Sequence, residues 1–213
     1  MLNIKYLILF FGVLSTLNSN AQLGLGMQLE LQSLTLNNLS SNDIGNRFSV
    51  QYMLRLKNAR VEFLPGVSIG WGNTILLAET DRSIQYGEFS PQIQVPVLIY
   101  PFDFKNDCNC PTFKKSGNPV SKGLHLIGSV AFRYLVRDFN GVGFKHQVFP
   151  IGAGFGMDFG MSPYFTLSPF MMFQYVFSDK ILDGNAEVQI NRKEFVFGLR
   201  GQFHKDEKRK RRR

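Results

Sequence analysis

Residues 23–32 read LGLGMQLELQ, so that leucine or methionine at every odd position alternates with glycine, glutamine or glutamate at every even position. A period of two is that of a β-strand with one apolar and one polar face. A helix, with a period of 3.6, would scatter the same residues around its whole circumference. The stretch therefore predicts a strand whose two faces meet different environments.

The same alternation recurs in seven further stretches of roughly ten residues, at 47–57, 61–72, 92–99, 124–137, 149–159, 165–177 and 192–203. Ten residues is about the length that a tilted strand needs to cross a bilayer, and an even number of strands returns the chain to the side it entered from. We therefore predict an all-β, eight-stranded antiparallel up-and-down transmembrane β-barrel over residues 22–203. Residues 37–46 and 73–83 are predicted to be long loops, whereas 103–122 is long where a short turn is expected.

Alternation alone does not say which face meets lipid, because a water-soluble barrel with an apolar lumen has the same period. Glycines crowd the polar face, where they suit a narrow lumen better than a solvated surface. The apolar face also carries many aromatic residues, as interfacial girdles do. Both features favour an apolar face turned to hydrocarbon. Four prolines within the predicted strands, Pro65, Pro96, Pro150 and Pro169, predict bulges or strand margins.

The two chain ends are predicted to lie outside the barrel. Lys5, an apolar run over 6–14, and the small residues Ser19 and Ala21 are typical of a signal peptide, predicted over residues 1–21. The predicted location is the bacterial outer membrane, with both termini in the periplasm. Residues 204–213, which end in KRKRRR, form a basic tail that carries most of the formal charge of +8. An exported chain meets no nucleic acid, so the tail is either a solvated, disordered segment or one that contacts anionic lipid or a periplasmic protein.

Two stretches resemble those of a known group of proteins. Residues 92–100 (QIQVPVLIY) resemble the mid-chain strand of small outer-membrane β-barrel proteins of Bacteroidota, the PorT-like and OmpA-like barrels. The last strand, EFVFGLRGQF over 194–203, is similar to the C-terminal signal that the barrel assembly machinery recognises, with Phe195, Phe197, Leu199 and Phe203 in the signal positions. This resemblance implies a barrel fold, an outer-membrane location and the assembly machinery as a partner during biogenesis.

Charges of both signs fall on the predicted lumen face, at Glu30, Arg55, Lys57, Glu62, Arg133, Asp158, Arg192, Glu194 and Arg200. Charges withdrawn from water persist when they are paired. Since side chains fill the interior of an eight-stranded barrel, these residues predict a salt-bridged plug and argue against a general diffusion pore.

Cys108 and Cys110 lie in the long connection 103–122. An oxidising periplasm favours a disulfide, which one intervening residue would strain, so a strained bridge and a free pair are both open. Two thiols without a clear third ligand are a weak signal for a metal site, and neither a metal nor a cofactor is predicted.

The predicted function is a non-enzymatic outer-membrane barrel, a structural or accessory subunit of an envelope secretion or assembly complex that meets its partner through 103–122 and 204–213. A narrow channel, or a binder of small hydrophobic ligands, is the first alternative. An outer-membrane lipid-modifying enzyme or protease is the second, with His146 near Asp138 as its candidate base, although no catalytic residue is predicted because no nucleophile motif accompanies that histidine.

Overall fold

The computed structural model describes residues 22–36, 39–56, 61–77, 83–101, 123–139, 142–162, 164–183 and 186–203. It is built from strands, and no helix in these ranges has the length and apolar character needed to span a membrane. The strands are β1 (Gln22–Leu36), β2 (Leu39–Arg55), β3 (Val61–Phe63), β4 (Gly66–Leu77), β5 (Ser83–Ile99), β6 (Leu124–Phe139), β7 (Val142–Met157), β8 (Phe159–Ser162), β9 (Phe165–Phe177), β10 (Lys180–Asp183), β11 (Ala186–Gln189) and β12 (Asn191–Phe203).

These strands form a closed antiparallel barrel with eight positions in its wall. We call each position a stave, because two of them consist of two consecutive strands. β3 and β4 are one stave interrupted at Leu64 and Pro65, and β7 and β8 are another, interrupted at Asp158. The first stave pairs with the second and also with the last, from Leu23 opposite Phe203 onward, and this pairing closes the barrel. β10 and β11 form a separate hairpin between β9 and β12. The predicted eight-stranded barrel is confirmed.

The barrel has two ends, which we call proximal and distal. Gln22 and Phe203 lie at the proximal end. At the distal end the chain passes from β1 to β2, from β4 to β5, from β6 to β7 and from β9 to β12. The hairpin of β10 and β11 therefore belongs to the distal end.

The apolar side chains point out of the barrel and the polar ones point in. Along β1, Leu29 and Leu31 are 41% and 38% exposed, whereas Glu30 between them is 2% exposed. The alternation continues around the barrel, with inward arginine, glutamine and serine on most staves. The fold is therefore that of a barrel with an apolar exterior and a polar interior.

The strands are longer than the sequence predicted. Residues 37–46 and 73–83 were expected to be long loops, but β1 and β2 stay paired as far as Leu36 opposite Leu39, and β4 and β5 as far as Leu77 opposite Ser83. That expectation was wrong because alternation marks only the part of a strand whose outer face is apolar. Backbone pairing continues beyond that part, where outward polar residues carry no such pattern.

The prolines sit within the staves with no change in the register of the ladder. Pro65 falls in the break between β3 and β4, where its carbonyl accepts a hydrogen bond from Tyr52 N at 2.9 Å. Pro169 pairs with Leu199 on one side, while the gap between β7 and β8 falls on its other side. Pro96 and Pro150 keep their antiparallel partners, Ser129 and Val176. Pro65 therefore lies at a strand margin, as predicted, whereas Pro96, Pro150 and Pro169 stay paired on one side without a bulge, since a proline removes only one donor.

Candidate functional site: the ion-paired barrel interior

Glycines on the inner face make room for the large side chains that fill the barrel. A Cβ atom on Gly70 would lie 2.7 Å from a guanidinium nitrogen of Arg47, and one on Gly152 would lie 2.6 Å from Cγ of Gln174. A Cβ on Gly198 would overlap the ring of Phe170. These three glycines thus lie where the interior has no space for a side chain.

The first part of the charged interior is centred on Arg47 of β2. Its guanidinium donates to the two carboxylate oxygens of Glu30 at 2.5 and 3.3 Å. It also donates to Oγ and to the backbone carbonyl of Ser90, both at 3.0 Å. Both Arg47 and Glu30 are almost fully buried. The pair therefore ties β1 and β2 to β5 across the lumen.

Arg133 of β6 forms the next link. Its two terminal nitrogens bind the two oxygens of Glu194 at 2.6 and 3.0 Å, which is the bidentate fork that makes the strongest ion pairs. Its Nε donates to Gln92 at 2.7 Å, and Glu30 lies 3.5 Å from Nη2. Arg133 therefore joins the Arg47 pair to the far wall of the barrel.

The chain of ion pairs continues to the distal end through Arg192 and Arg137. Arg192 binds Glu194 at 2.7 Å and Glu88 at 2.8 and 2.9 Å. Arg137 binds Glu88 at 3.0 Å and both oxygens of Asp179 at 2.8 Å. Four arginines and four carboxylates therefore form one connected network in which the charges balance: Arg47, Arg133, Arg137, Arg192, Glu30, Glu88, Asp179 and Glu194.

Asp179 reaches this network from the connection that follows β9. His146 Nε2 lies 2.7 Å from Oδ1 of Asp179, and the backbone N–H of Lys180 donates to the same oxygen at 2.8 Å. Burial raises the pKa of Asp179, but the charges of Arg137 and Arg192 and the hydrogen bond with His146 outweigh burial and hold that pKa well below its ordinary value. Asp179 is thus an anion bound by the barrel wall.

A second, smaller polar cluster lies at the proximal end. The hydroxyl of Tyr100 lies 3.1 Å from Glu62 and 2.8 Å from Asp158, and Ser168 donates to the other oxygen of Asp158. His125 lies 3.6 Å from Asp158 and 3.4 Å from Arg200. A buried apolar layer adjoins this cluster, formed by Leu64, Leu98, Tyr100, Ile127, Met172 and Val196.

Seven of the nine lumen charges named from the sequence point into the barrel and are buried: Glu30, Glu62, Arg133, Asp158, Arg192, Glu194 and Arg200. Arg55 is the last residue of β2, but its side chain lies outside the described residues, as does the whole of Lys57. The structure brings the seven into two groups, with Glu62, Asp158 and Arg200 in the proximal cluster and the other four in the network.

Four members of the network were not predicted from the sequence: Arg47, Glu88, Arg137 and Asp179. Arg47 and Arg137 lie at inward positions of alternating strands, so the signal was present and could have been used. Glu88 lies in the first half of β5, ahead of the predicted strand 92–99. Asp179 lies in a connection, where no periodicity applies.

His146 has a different carboxylate partner from the one expected. The sequence placed it near Asp138, but Asp138 is exposed and His146 binds Asp179 instead. The expectation was wrong because Asp138 follows the inward Arg137 directly in β6, and successive side chains of a strand point to opposite faces. Among the described residues, no group of three or more His, Cys, Asp and Glu side chains is arranged to hold a metal ion.

The residues of the last strand that resemble the assembly signal all lie on the outer face. Phe195, Phe197, Leu199 and Phe203 are each between two fifths and one half exposed. The rings of Phe195 and Phe203 contact Phe173 and Phe165 of β9, with centroids 5.1 Å apart in both pairs. The predicted signal peptide 1–21, Cys108, Cys110, the connection 103–122 and the tail 204–213 lie outside the described residues.

Comparison with solved structures places this fold among small outer-membrane barrels. The chain is similar to Neisserial surface protein A, with a TM-score of 0.51 and 14% identity over 85% of this chain and 98% of that one. It also matches Ail, the attachment invasion locus protein of Yersinia pestis, with a TM-score of 0.42 and 12% identity over 88% and 99% of the two chains. No protein-family model matches the chain, and no curated protein matches it. The shared feature is the fold, and the narrower resemblance to barrels of Bacteroidota stays a prediction from the sequence.

Proposed function

We propose that this protein is an integral outer-membrane β-barrel whose exterior lies in hydrocarbon and whose interior is a closed, ion-paired plug. One observation carries the proposal: apolar side chains cover the outside of the staves, while the charged ones are buried inside and paired. Water-soluble monomers rarely expose so large a continuous apolar surface, whereas a membrane barrel requires one. The apolar side chains on the outside of the barrel are then in contact with the lipid of the outer membrane.

The proposed role is that of a structural or accessory subunit of an envelope secretion or assembly complex, without enzymatic activity. The buried charges support this role because they bind one another and so hold the staves together. The proposed contacts with a partner are the segments 103–122 and 204–213, with both chain ends in the periplasm. The barrel assembly machinery is the proposed partner during biogenesis, and kinship with the barrels of Bacteroidota belongs to the same proposal.

Purification of the tagged full chain from native membranes in mild detergent tests the role. We expect one envelope protein to co-purify in constant ratio, and to be lost when the Lys and Arg residues of 204–213 are replaced by Gln or when 103–122 is shortened. A variant with Lys193, an exposed lysine of β12, replaced by Gln is the matched control and should retain the partner. Recovery of the wild-type barrel alone would contradict the accessory role.

A conductance measurement separates the plug from a narrow channel. Because the charges of the network are paired across the lumen, we expect the purified protein in planar bilayers to show no steady conductance. Stable, reproducible channel steps from the wild-type protein would contradict the closed plug and favour the channel.

One feature of the outer wall favours a second candidate, a binder of a small hydrophobic ligand. A hollow of about 550 Å³ crosses the outer face of β9, β12, β1, β2 and β4, and its lining is almost entirely apolar. Gly201 is one of its lining residues, together with Leu25, Leu167, Leu199 and Phe203. An acyl chain matches this shape and chemistry. Gly201→Leu should remove a co-purifying lipid seen by native mass spectrometry, whereas Gly128→Leu, at an outward glycine with open space around it, should not. A wild-type protein without bound lipid would exclude this candidate.

A further inference from the structure

At the distal end, side chains of the barrel wall bind the carboxylate of Asp179, which lies in the connection after β9. β9 ends at Phe177, and Ser178 then adopts a φ of 65°, a left-handed conformation that is uncommon for a residue other than glycine. This turn directs Asp179 back into the mouth of the barrel, where it is fully buried. The backbone N–H of Ile190 donates to the carbonyl of Asp179 at 3.0 Å, and this bond closes the root of the β10–β11 hairpin.

The groups that bind Asp179 come from three staves of the barrel. Arg137 of β6 presents a fork with both distances at 2.8 Å, His146 of β7 contributes Nε2 at 2.7 Å, and Arg192 of β12 lies 3.5 Å from Oδ2. The receptor is therefore built on the paired strands, whereas the carboxylate that fills it is carried by a connection. The side chain of His146 is 9% exposed, whereas those of Arg137, Arg192 and Asp179 are fully buried, so His146 is the member of the site nearest to solvent.

The charges around this site balance only while Asp179 occupies it. Arg137 and Arg192 also share Glu88, and Arg192 binds Glu194, which is held in turn by Arg133. Withdrawal of Asp179 would leave the network with one uncompensated positive charge. It would also leave the two terminal nitrogens of Arg137 without the carboxylate that they bind. Such a fork binds carboxylate and phosphate oxygens in the same bidentate geometry.

We infer that Arg137, His146 and Arg192 form an oxyanion receptor at the distal mouth, which Asp179 occupies in the closed state and which takes the carboxylate or phosphate group of an external ligand when Asp179 and the strands β10 and β11 move away. Asp179 is thus an internal competitor for the ligand, and the hairpin is the lid that carries it. This inference is independent of the partner complex proposed above.

The first test is chemical rescue of Asp179→Ala in the full-length protein in detergent micelles. The variant should unfold at a lower temperature than the wild type. Acetate or inorganic phosphate should raise its midpoint by roughly 3–6 °C in a saturable manner, while chloride at equal ionic strength should not. Rescue by acetate alone would identify a carboxylate ligand, and rescue by phosphate alone would identify a phosphate-bearing one. Rescue by neither would overturn the inference.

Two controls and one refolding measurement keep this test decisive. Asp138→Ala removes an exposed carboxylate at the same end and should show no response to either anion. Adding Arg137→Gln to Asp179→Ala should abolish the rescue. If Asp179→Ala does not fold in chloride, its refolding yield should be restored by acetate or phosphate, and failure of both to restore it would overturn the inference.

The second test follows the lid in a protein that keeps Asp179. Ile190, at the root of the hairpin, is 4% exposed, so a cysteine there is shielded while the lid is closed. In a background with Cys108→Ser and Cys110→Ser, phosphate or acetate should raise the rate of thiol labelling of Ile190→Cys several-fold over chloride. Val148→Cys, in the wall of β7, should be unaffected. Equal labelling rates in all three salts would show that Asp179 does not exchange with external anions.

Discussion

At the scale of single residues, glycine on the inner face is a packing requirement. Gly198 lies against the ring of Phe170, so Gly198→Ala forces a Cβ into occupied space and should destabilise the barrel by about 1–3 kcal/mol. Gly128→Ala is the matched control, because the space around its Cβ is open and the added methyl should be neutral or slightly stabilising. Urea unfolding in lipid vesicles, followed by the fluorescence of the single tryptophan, measures both. Equal stability of the two variants would contradict the tight interior.

The ion pairs of the network should be strongly coupled. Arg133→Met leaves Glu194 with Arg192 alone and should cost about 3–5 kcal/mol, since a buried charge loses a bidentate partner. The double variant with Glu194→Gln should cost clearly less than the two single changes added together. A double-mutant cycle on unfolding free energies checks this, with Lys193→Met as an exposed control. Additive costs would mean that the fork does not contribute to stability.

The depressed pKa of Asp179 fixes the direction of a pH effect. A carboxylate whose pKa is lower in the folded state stabilises the fold above its unfolded value, near 3.8, and loses that contribution as the pH falls further. The stability difference between the wild type and Asp179→Asn should therefore persist from pH 8 to pH 5 and shrink below about pH 4. Unfolding midpoints across this range provide the measurement. A difference that vanished between pH 7 and pH 5 would contradict the assigned ionisation.

At the scale of elements, the centres of the staves were predictable and their ends were not. In β1 the alternation is complete because one face meets apolar surroundings along most of its length. The distal parts of β2 and β5 lack that pattern, and Glu88 was missed as a result. Asp179 could not be found from local sequence, because its place depends on the turn at Ser178, where no glycine or asparagine signals the left-handed conformation.

The last strand offers a test of assembly as distinct from stability. If Phe203 belongs to the signal read by the assembly machinery, Phe203→Ala should lower the fraction of folded barrel in the outer membrane several-fold. The same variant refolded in detergent should be nearly as stable as the wild type. Phe173→Ala, another outward phenylalanine on a neighbouring strand, is the control. Heat-dependent electrophoretic mobility of membrane fractions distinguishes folded from unfolded chains. Normal assembly of Phe203→Ala would contradict the role of the strand as a signal.

At the scale of the whole molecule, the pairing of charges depends on closure of the barrel. Arg133 and Glu194 are 61 residues apart in sequence, and Arg192 and Glu88 are 104 apart. The sequence indicated that charges of both signs would share the lumen, since inward positions follow from periodicity. Which arginine meets which carboxylate could not be predicted, because the partners are set by strand register and by the curvature of the closed sheet.

The orientation of the wall is tested most directly by Trp71, the single tryptophan. It lies on the outer face of β4, 46% exposed and stacked on Phe48 with the ring centroids 5.4 Å apart. In vesicles of lipids brominated on their acyl chains, its fluorescence should be strongly quenched, while aqueous iodide should have little effect. Strong quenching by iodide, with no effect of brominated lipid, would show that the apolar face does not meet hydrocarbon and would contradict the membrane barrel.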